Sequence, residues 1–239
     1  MNEPVPEVAR ASRHNLRDAI LQAAETLFAT NGFRATSIRD IAQAANTHPG
    51  SVSYHFKSKD SLLLAIYRRH CGPMNRRRAE LLREALRIRD LPQRLEAIVR
   101  AYVLPAFVAG GDETGGGAGF TRLRAVMSAE GNTAVRQIIA ETFDETSQSF
   151  IDAIHQSLPH LPRATIIWRA HFLLGALYYT LVTPERIDRL SHGAAHGGDA
   201  AVAVEQLVQA TVAALQAPDI AGHTAGAHPP TTSNQEGGE

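Results

Sequence analysis

Residues 36–59 read TSIRDIAQAANTHPGSVSYHFKSK and contain two short helical patterns separated by about three residues. Ser37, followed by Asp40 three residues later, predicts a capping box at the start of the first helix. The second pattern covers about 48–56. A turn this tight requires a residue that tolerates a left-handed backbone, and Asn46 meets that requirement. The segment therefore predicts a helix-turn-helix, a motif whose second helix enters the major groove of DNA.

The second helix of this pair presents small and polar groups. Small residues let a backbone approach the base edges, and hydroxyl groups bond bases or phosphates. Lys59 stands in the first turn of the next helix, where a cation opposes the helix macrodipole. A lysine at a helix N-terminus suits a DNA phosphate, and simple exposure to solvent is the alternative for Lys59. These small and polar residues are Gly50, Ser51, Ser53, Tyr54 and His55.

The charges of the chain are unevenly divided. The 239 residues carry 24 Lys or Arg and 24 Asp or Glu, so the formal net charge is zero. Residues 1–90 hold 15 of the basic and nine of the acidic groups, a net +6, and residues 91–239 hold nine and 15, a net −6. This asymmetry predicts a basic module for a polyanion, joined to an acidic body with another task.

Helical periodicity extends over most of the chain, and no sustained alternation of apolar and polar residues predicts a sheet, so the predicted fold is all-α. Gly72-Pro73 is expected to kink or break the helix that follows Ser58. The run 110–119 contains six glycines and is expected to be a flexible loop. Beyond residue 91, helices are expected near 92–107, 119–129, 132–158, 162–183 and 199–217.

Residues 19–62 resemble the N-terminal domain of TetR/AcrR transcriptional regulators. In this segment ILQAAETLFATNGF is similar to the family's first helix, TSIRDIAQAA to its second, and VSYHFKSKDSL to its recognition helix and the start of the fourth. The family most often has Gly-Val-Ser in the turn, where this chain has Asn46-Thr47-His48. The resemblance implies a TetR-like fold, with a three-helix helix-turn-helix domain followed by a larger α-helical ligand-binding and dimerisation domain.

The resemblance also implies a function and a division of the chain. We expect a transcriptional repressor that binds a palindromic operator in double-stranded DNA as a homodimer and is released by a small, largely apolar effector. No cofactor is expected. The expected division is a flexible N-terminal arm at 1–12, the DNA-binding domain at 13–60, the ligand-binding and dimerisation domain at 61–217 and a disordered tail at 218–239.

Positions that match the family's DNA-contacting residues can be named one by one. For Arg39, a phosphate contact and a solvated surface are equally compatible with the sequence. His48 either contacts DNA or caps the recognition helix. Val52 and Phe56 are expected to pack in the small core of the domain. The expected DNA-binding residues are Thr36, Ser37, Arg39, His48, Pro49, Gly50, Ser51, Ser53, Tyr54, His55 and Lys59.

The dimer is expected to form through two helices of the body. Residues 161–181 are apolar on nearly all sides, and a helix of this kind needs two buried faces. Together with the helix near 200–215, it suggests a four-helix interface between two chains, and packing within one chain is the alternative. The expected interface residues are Ile166, Leu173, Leu174, Leu177, Leu181, Val204, Leu207, Val208, Thr211, Val212 and Leu215.

The body is also expected to hold an apolar cavity with a few polar groups. The run IIWRAHFLLGALYY, which starts at Ile166, resembles a body helix of the PsrA-like branch of the family, which includes regulators of fatty-acid metabolism. That resemblance suggests a fatty-acyl effector. Arg122 and Arg124 either meet a carboxylate or form ordinary surface contacts. The candidate lining residues, for which core packing is the alternative, are Tyr102, Phe107, Phe120, Met127, Phe143, Phe150, Trp168, His171 and Tyr178.

Other classes of protein are weaker matches to the sequence. No catalytic motif can be placed, and the glycine-rich run lacks the Lys-Ser/Thr of a phosphate-binding loop, so an enzyme is not expected. A metal-responsive regulator would require ligands such as His192 and His196, which lie in a Gly-rich stretch. A DNA-binding protein without an effector is the remaining alternative. The sequence contains no run of 18 apolar residues, so no membrane span is predicted. The expected location is the cytoplasm.

Overall fold

The computed structural model describes residues 7–108, 116–130 and 133–219, and it confirms the all-α prediction over these ranges. The disordered tail expected at 218–239 lies almost wholly outside the described residues, as does most of the glycine-rich run. Two expectations about where helices begin are corrected. Residues 7–12, expected in a flexible arm, are helical, and Gly117 begins a helix two residues before the expected start at 119.

Ten helices are found in the described part of the chain. They are α1 (Glu7–Asn31), α2 (Ile38–Ala44), α3 (Pro49–Phe56), α4 (Lys59–Ala85), α5 (Leu91–Phe107), α6 (Gly117–Ala129), α7 (Thr133–Ser157), α8 (Arg163–Val182), α9 (Glu185–Leu190) and α10 (Ala200–Gln216).

Helices α1 to α3 form the N-terminal unit, and its local structure follows from the sequence. The predicted capping box is confirmed, because the Asp40 amide donates to Ser37 Oγ at 3.2 Å and the Ser37 amide donates to Asp40 Oδ2 at 2.7 Å. These bonds hold the pKa of Asp40 below its usual value. Asn46 has a φ of 50°, which confirms the predicted left-handed turn. Val52 and Phe56 are buried as predicted.

Helix α4 joins the N-terminal unit to the body without a break. The prediction of a break at Gly72-Pro73 is wrong, because the helix runs continuously from Lys59 to Ala85, and the alternative, a kink, stays a prediction. Proline removes one backbone donor from the helix ladder, at a cost of about 3 kcal/mol in an isolated helix. Burial of Cys71 and Met74 on either side of Pro73, where α4 packs along α5 and α7, offsets that cost.

The body consists of α4 to α8 and α10, and α5 lies at its centre, in contact with α4, α6, α7 and α10. Helix α8 packs on α6, α7 and α10. By length and mean hydropathy alone α8 could cross a membrane. Arg169, in its middle, donates to the backbone carbonyls of Leu215, Ala217 and Pro218 at the end of α10. These hydrogen bonds tie α8 to the end of α10 within the chain.

The structure corrects the predicted dimer residues, because most of them lie inside a single chain. Their side chains lie where α8 packs on α6, α7 and α10 and where α10 packs on α5, so most of them are not available to a second copy. The residues buried in this way are Ile166, Leu173, Leu177, Leu181, Val204, Leu207, Val208, Thr211 and Leu215, and the half-buried ones are Leu174 and Val212.

The opposite side of α8 is apolar and exposed. Trp168 and Phe172 are 62% and 63% exposed, and their rings lie 5.9 Å apart between centroids. Gly175 and Ala176 are exposed between them and the C-terminal end of the helix. We call this surface the α8 face, and its large members are Ile167, Trp168, Phe172, Tyr179 and Val182.

Candidate nucleic-acid interface and effector cavity

Helix α3 buries one side and exposes the other. Val52 and Phe56 anchor it in the core of the N-terminal unit. On the opposite side Ser53 is exposed and Tyr54 is 74% exposed, with its ring edge-on to His55 at 5.3 Å. A large exposed aromatic residue gains little from water and suits a contact with a partner surface. The remaining predicted positions on or beside this surface are Arg39 and Gly50, which are exposed, and Pro49 and Ser51, which are half-buried.

Four of the predicted DNA-binding side chains have hydrogen-bond partners inside the protein, namely Thr36, Ser37, His48 and Lys59. Thr36 is 1% exposed and its hydroxyl donates to the carbonyl of Gly32 at 2.8 Å, so its side chain is not available to a phosphate. This corrects the prediction for Thr36. Ser37 Oγ serves the capping box of α2. His48 caps α3, because its Nδ1 accepts from the Gly50 amide at 3.3 Å, although its ring remains exposed.

Lys59 makes contacts inside the protein that the sequence did not predict. Its Nζ donates to the carbonyls of Phe33 at 2.7 Å and Thr36 at 2.9 Å, and it lies 4.3 Å from the centre of the Phe33 ring. These contacts fasten the loop between α1 and α2 to the first turn of α4. They also explain a cation near the positive end of a helix, because two carbonyl oxygens and an aromatic face stabilise it. A phosphate contact by Lys59 stays a prediction.

Two exposed cations of the N-terminal unit, Arg34 and Lys57, were not predicted from the sequence to bind DNA. Lys57 ends α3 with φ 58° and ψ −47°, a conformation that non-glycine residues rarely adopt. Strained backbone of this kind clusters at functional sites. One feature of the sequence could have identified Lys57: it and Lys59 are the only two lysines of the chain.

The body contains a cavity of about 330 Å³ between α5, α7, α8 and α10. Three predicted lining residues lie in its wall, Tyr102, Phe150 and His171. Apolar side chains dominate the wall, and the exposed Asp144 and Gln148 stand among its polar groups. The volume lies at the low end of the roughly 300–1,000 Å³ usual for small-molecule sites.

The other predicted lining residues are elsewhere. Trp168 belongs to the exposed α8 face, and Tyr178 lines a separate surface groove between α6 and α8. Aromatic residues in an all-α body fill the core as readily as they line a cavity, and the sequence did not separate these roles. The predicted lining residues that are instead buried outside the cavity wall are Phe107, Phe120, Met127 and Phe143.

The N-terminal unit and the body are joined through His70 of α4. Its Nδ1 accepts from the Gly116 amide at 3.0 Å, so its hydrogen lies on Nε2, which donates to Glu25 Oε2 at 2.8 Å. The ring stacks on Phe120 of α6 at 4.6 Å. One side chain thus connects α1, α4 and the start of α6. These contacts hold α1 of the N-terminal unit against α4 and α6 of the body.

Two family models match the chain. The model described as "Bacterial regulatory proteins, tetR family" covers residues 20–66, and the one described as "Tetracyclin repressor-like, C-terminal domain" covers residues 100–214. The first range contains α2 and α3, and the second contains most of the body. The two models together span the surface of α3 and the cavity.

Similar proteins agree with the family models. The transcriptional repressor KstR2 of Rhodococcus jostii is 36% identical over 96 residues, which cover 40% of this chain and 46% of that protein. The match therefore spans less than half of that relative's length. Among solved structures, a TetR-family regulator from Bordetella parapertussis is 22% identical, with a TM-score of 0.57, over 82% of this chain and 94% of that one.

A second solved structure, the fatty acid degradation regulator FadR of Bacillus halodurans, has 14% identity and a TM-score of 0.52 over 91% of this chain and all of that one. At this identity the two solved structures support the fold alone. The two family models and the fold lead to one conclusion: this chain belongs to the TetR family of bacterial transcriptional regulators.

Proposed function

We propose that this protein is a transcriptional repressor that binds a palindromic DNA operator as a homodimer in the cytoplasm and is released by a small-molecule effector. The observation that carries the proposal is the division of α3 into a buried face and an exposed polar face. Val52 and Phe56 fix the helix, while Ser53, Tyr54 and the half-buried His55 face outward, beside the exposed Arg39 and Lys57. A helix presented in this way fits the major groove, with cations placed for the phosphates.

A single helix-turn-helix reads a short half-site, and specificity comes from two copies held about one helical turn of DNA apart. The α8 face supports a dimer, because contiguous exposed aromatic residues favour association. Gly175 and Ala176 allow the helices of two copies to approach closely, since a Cβ at Gly175 would meet no atom within 4 Å. Together with the outer side of α10, this surface suits a four-helix interface.

The cavity supports an effector of limited size. A wall that is mostly apolar, with a few polar groups, binds the body of a small molecule by burial and fixes its orientation by hydrogen bonds. At about 330 Å³ the space suits a medium-length acyl chain or a few fused rings. Release of DNA requires that the effector bind the DNA-incompetent arrangement better than the DNA-bound one.

The experiment that tests the proposal is selection of DNA by the purified protein. Genomic fragments and a random duplex pool are incubated with the full chain, and the bound fraction is sequenced. The proposal predicts an enriched inverted repeat whose half-sites are separated by about one helical turn. The absence of any enriched sequence at low salt would contradict it.

Two alternative functions have less support. A metal-responsive regulator would need a cluster of ligands, and no group of three or more His, Cys, Asp or Glu side chains suited to a metal lies among the residues that the structure describes. A DNA-binding protein without an effector does not explain the cavity. The relatives named above are transcriptional regulators, and we propose no enzymatic activity.

A further inference from the structure

Two arginine side chains lie at the centre of the body, away from solvent. Arg78 of α4 is 1% exposed and Arg124 of α6 is 2% exposed. A buried arginine is normally paired with a carboxylate, because an uncompensated charge is costly to remove from water. Neither arginine takes part in any ion pair found in the described ranges of the chain. Within the described ranges, the body therefore contains two buried positive charges that no acid pairs with.

The contacts that the two side chains make leave donors unused. Arg78 Nε donates to the carbonyl of Tyr102 at 3.1 Å, and its guanidinium lies 4.0 Å from the centre of the Tyr102 ring. Its Nη1 is buried without a hydrogen-bond partner. The guanidinium of Arg124 lies 3.5 Å from the centre of the Phe143 ring, and its buried Nε is also unpartnered. Aromatic faces attract these cations but accept none of the remaining hydrogen bonds well.

Hydroxyl groups near the arginines are unsatisfied as well. The Tyr67 hydroxyl and Thr121 Oγ1 are buried without a hydrogen-bond partner. Burial, and then the nearby charge of Arg124, lower the pKa of Arg78 to about 10. Buried polar atoms are rarely left unpaired in native proteins, so four on the two helices that carry the arginines, α4 and α6, indicate a missing partner. Because all four are N–H or O–H groups, the partner they fit is an acceptor with negative charge.

A half-buried acid just beyond the end of the same helix does not fill this role. Glu130 follows the end of α6, about 9 Å along the helix axis from Arg124. A Cβ placed at Gly32 would lie 2.3 Å from Glu130 Oε1, so this carboxylate lies against the end of α1, not in the arginine cluster. Its Oε2 is unpartnered, which also shows that it is not bound to an arginine.

We propose that the effector carries a carboxylate or phosphate group that Arg78 and Arg124 bind, while its apolar part occupies the cavity. This inference rests on the proposed regulatory function. Tyr102 lies between the cavity and the buried arginines, because its ring lines the cavity and also covers the Arg78 guanidinium. Displacement of this ring brings the cavity and the cluster together. The acidic Asp144 is exposed at the cavity wall, where solvent screens its charge.

The proposal also gives the effector a direct route to the DNA-binding surface. Arg78 belongs to the same uninterrupted helix as Lys59, which fastens the loop between α1 and α2. The two residues are about 28 Å apart along α4. Because an anion neutralises Arg78 and draws it away from Tyr102, it acts on the position of α4 itself.

The first experiment compares the melting temperatures of ligand-free variants. If the arginines are kept for a ligand, then Arg124→Met and Arg78→Met remove a costly buried charge, and each raises the melting temperature by roughly 2–4 °C. Arg122→Met is the matched control on α6, since Arg122 is exposed and donates to the Leu181 carbonyl at 2.9 Å. It should change the melting temperature by at most roughly 2 °C. A fall of several degrees in both cluster variants would assign the arginines a structural role and overturn the proposal.

The second experiment measures binding of defined probes by calorimetry, without DNA. Decanoate and decyl phosphate should bind the wild type at least about tenfold more tightly than decanol, because only the anions gain the two arginines. Arg124→Met should abolish this preference, Arg124→Lys should restore part of it, and Arg122→Met should keep it. Equal binding of decanol and decanoate, binding of neither anion, or an unchanged preference in Arg124→Met would each overturn the proposal.

These readouts are independent of the regulatory function. If the chain fails to enrich any operator but binds decanoate through the arginines, the proposed repressor function fails and the anion site stands. If an operator is found and the anion preference is absent, the proposed repressor function stands and the anion site fails.

Discussion

At the scale of single residues, Tyr54 and Lys59 separate DNA contact from structural support. Tyr54 is largely exposed and contacts only its neighbour His55 edge-on, so Tyr54→Ala should change the free energy of unfolding by less than about 0.5 kcal/mol. Lys59→Met removes two hydrogen bonds from a cation and should lower it by about 1–3 kcal/mol. Urea denaturation of both variants checks the difference, and equal effects would contradict the structure.

The single cysteine gives a second prediction at this scale. Burial raises the pKa of the Cys71 thiol to about 11, two units above its usual value of 9.0. The thiolate is the reactive form, so the thiol should react with a disulfide reagent at pH 8 on the order of 100-fold more slowly in the folded protein than in urea. A reaction in the folded protein as fast as in urea would contradict the burial of Cys71.

The sequence predicted the backbone of the N-terminal unit better than the use of its side chains. Ser37 with Asp40 defines a cap, and Asn46 defines a left-handed turn, because each pattern has a local physical cause. Lys59 has its partner Phe33 far along the chain, and this contact becomes visible only when α1, α2 and α4 are assembled. The hydroxyl of Thr36 bonds the carbonyl of Gly32, only four residues away, but its burial is likewise a result of the assembled unit. The match to a family position therefore predicted where Lys59 lies in the domain, but not that it binds the carbonyls of Phe33 and Thr36.

At the scale of elements, α8 shows why an apolar helix was assigned the wrong face. Its two sides are both apolar, so periodicity predicts that both are buried but not which one faces its own chain. The structure places Leu173, Leu177 and Leu181 inside and the α8 face outside. The polar partners that would have fixed the orientation are backbone carbonyls at the end of α10, which Arg169 reaches.

The exposed α8 face gives a prediction about assembly. Phe172→Asp places a charge in the centre of the proposed interface and should convert the protein from a dimer into a monomer, because an unpaired charge there is costly to bury. Leu91→Asp is the control, since Leu91 is also exposed but lies at the start of α5. Light scattering after gel filtration measures both masses. A dimeric Phe172→Asp variant would show that another surface pairs.

Helix α4 gives a prediction about stability and coupling. Gly72 lies inside this continuous helix, and a Cβ there would meet only Arg76 Nη1, at 3.4 Å. Gly72→Ala should therefore raise the free energy of unfolding by about 0.5–1 kcal/mol. If α4 transmits effector binding, a stiffer helix should also change the effector concentration that releases half of the DNA. An unchanged stability would indicate that α4 is distorted at Gly72.

At the scale of the whole molecule, the zero net charge is the sum of a basic N-terminal part and an acidic remainder. The basic part includes α1 to α3 and α4, and the remainder includes the cavity and the α8 face. An acidic body is repelled by DNA, so the dimer should meet a duplex with its α3 surfaces first. The division of charge was visible in the sequence, and Arg124 was named there as one of two possible partners of a carboxylate. The burial of Arg78 and Arg124, which lie one in each part, was not visible.

DNA binding through α3 is tested by the affinity of the wild type and of Tyr54→Ala for the selected duplex, measured by fluorescence anisotropy at several salt concentrations. Wild-type affinity should fall steeply with salt, because phosphate contacts release counterions. Tyr54→Ala should weaken binding by about tenfold, a loss of about 1.4 kcal/mol, while its melting temperature is unchanged. An affinity equal to that of the wild type at every salt concentration would show that α3 is not the DNA-binding surface.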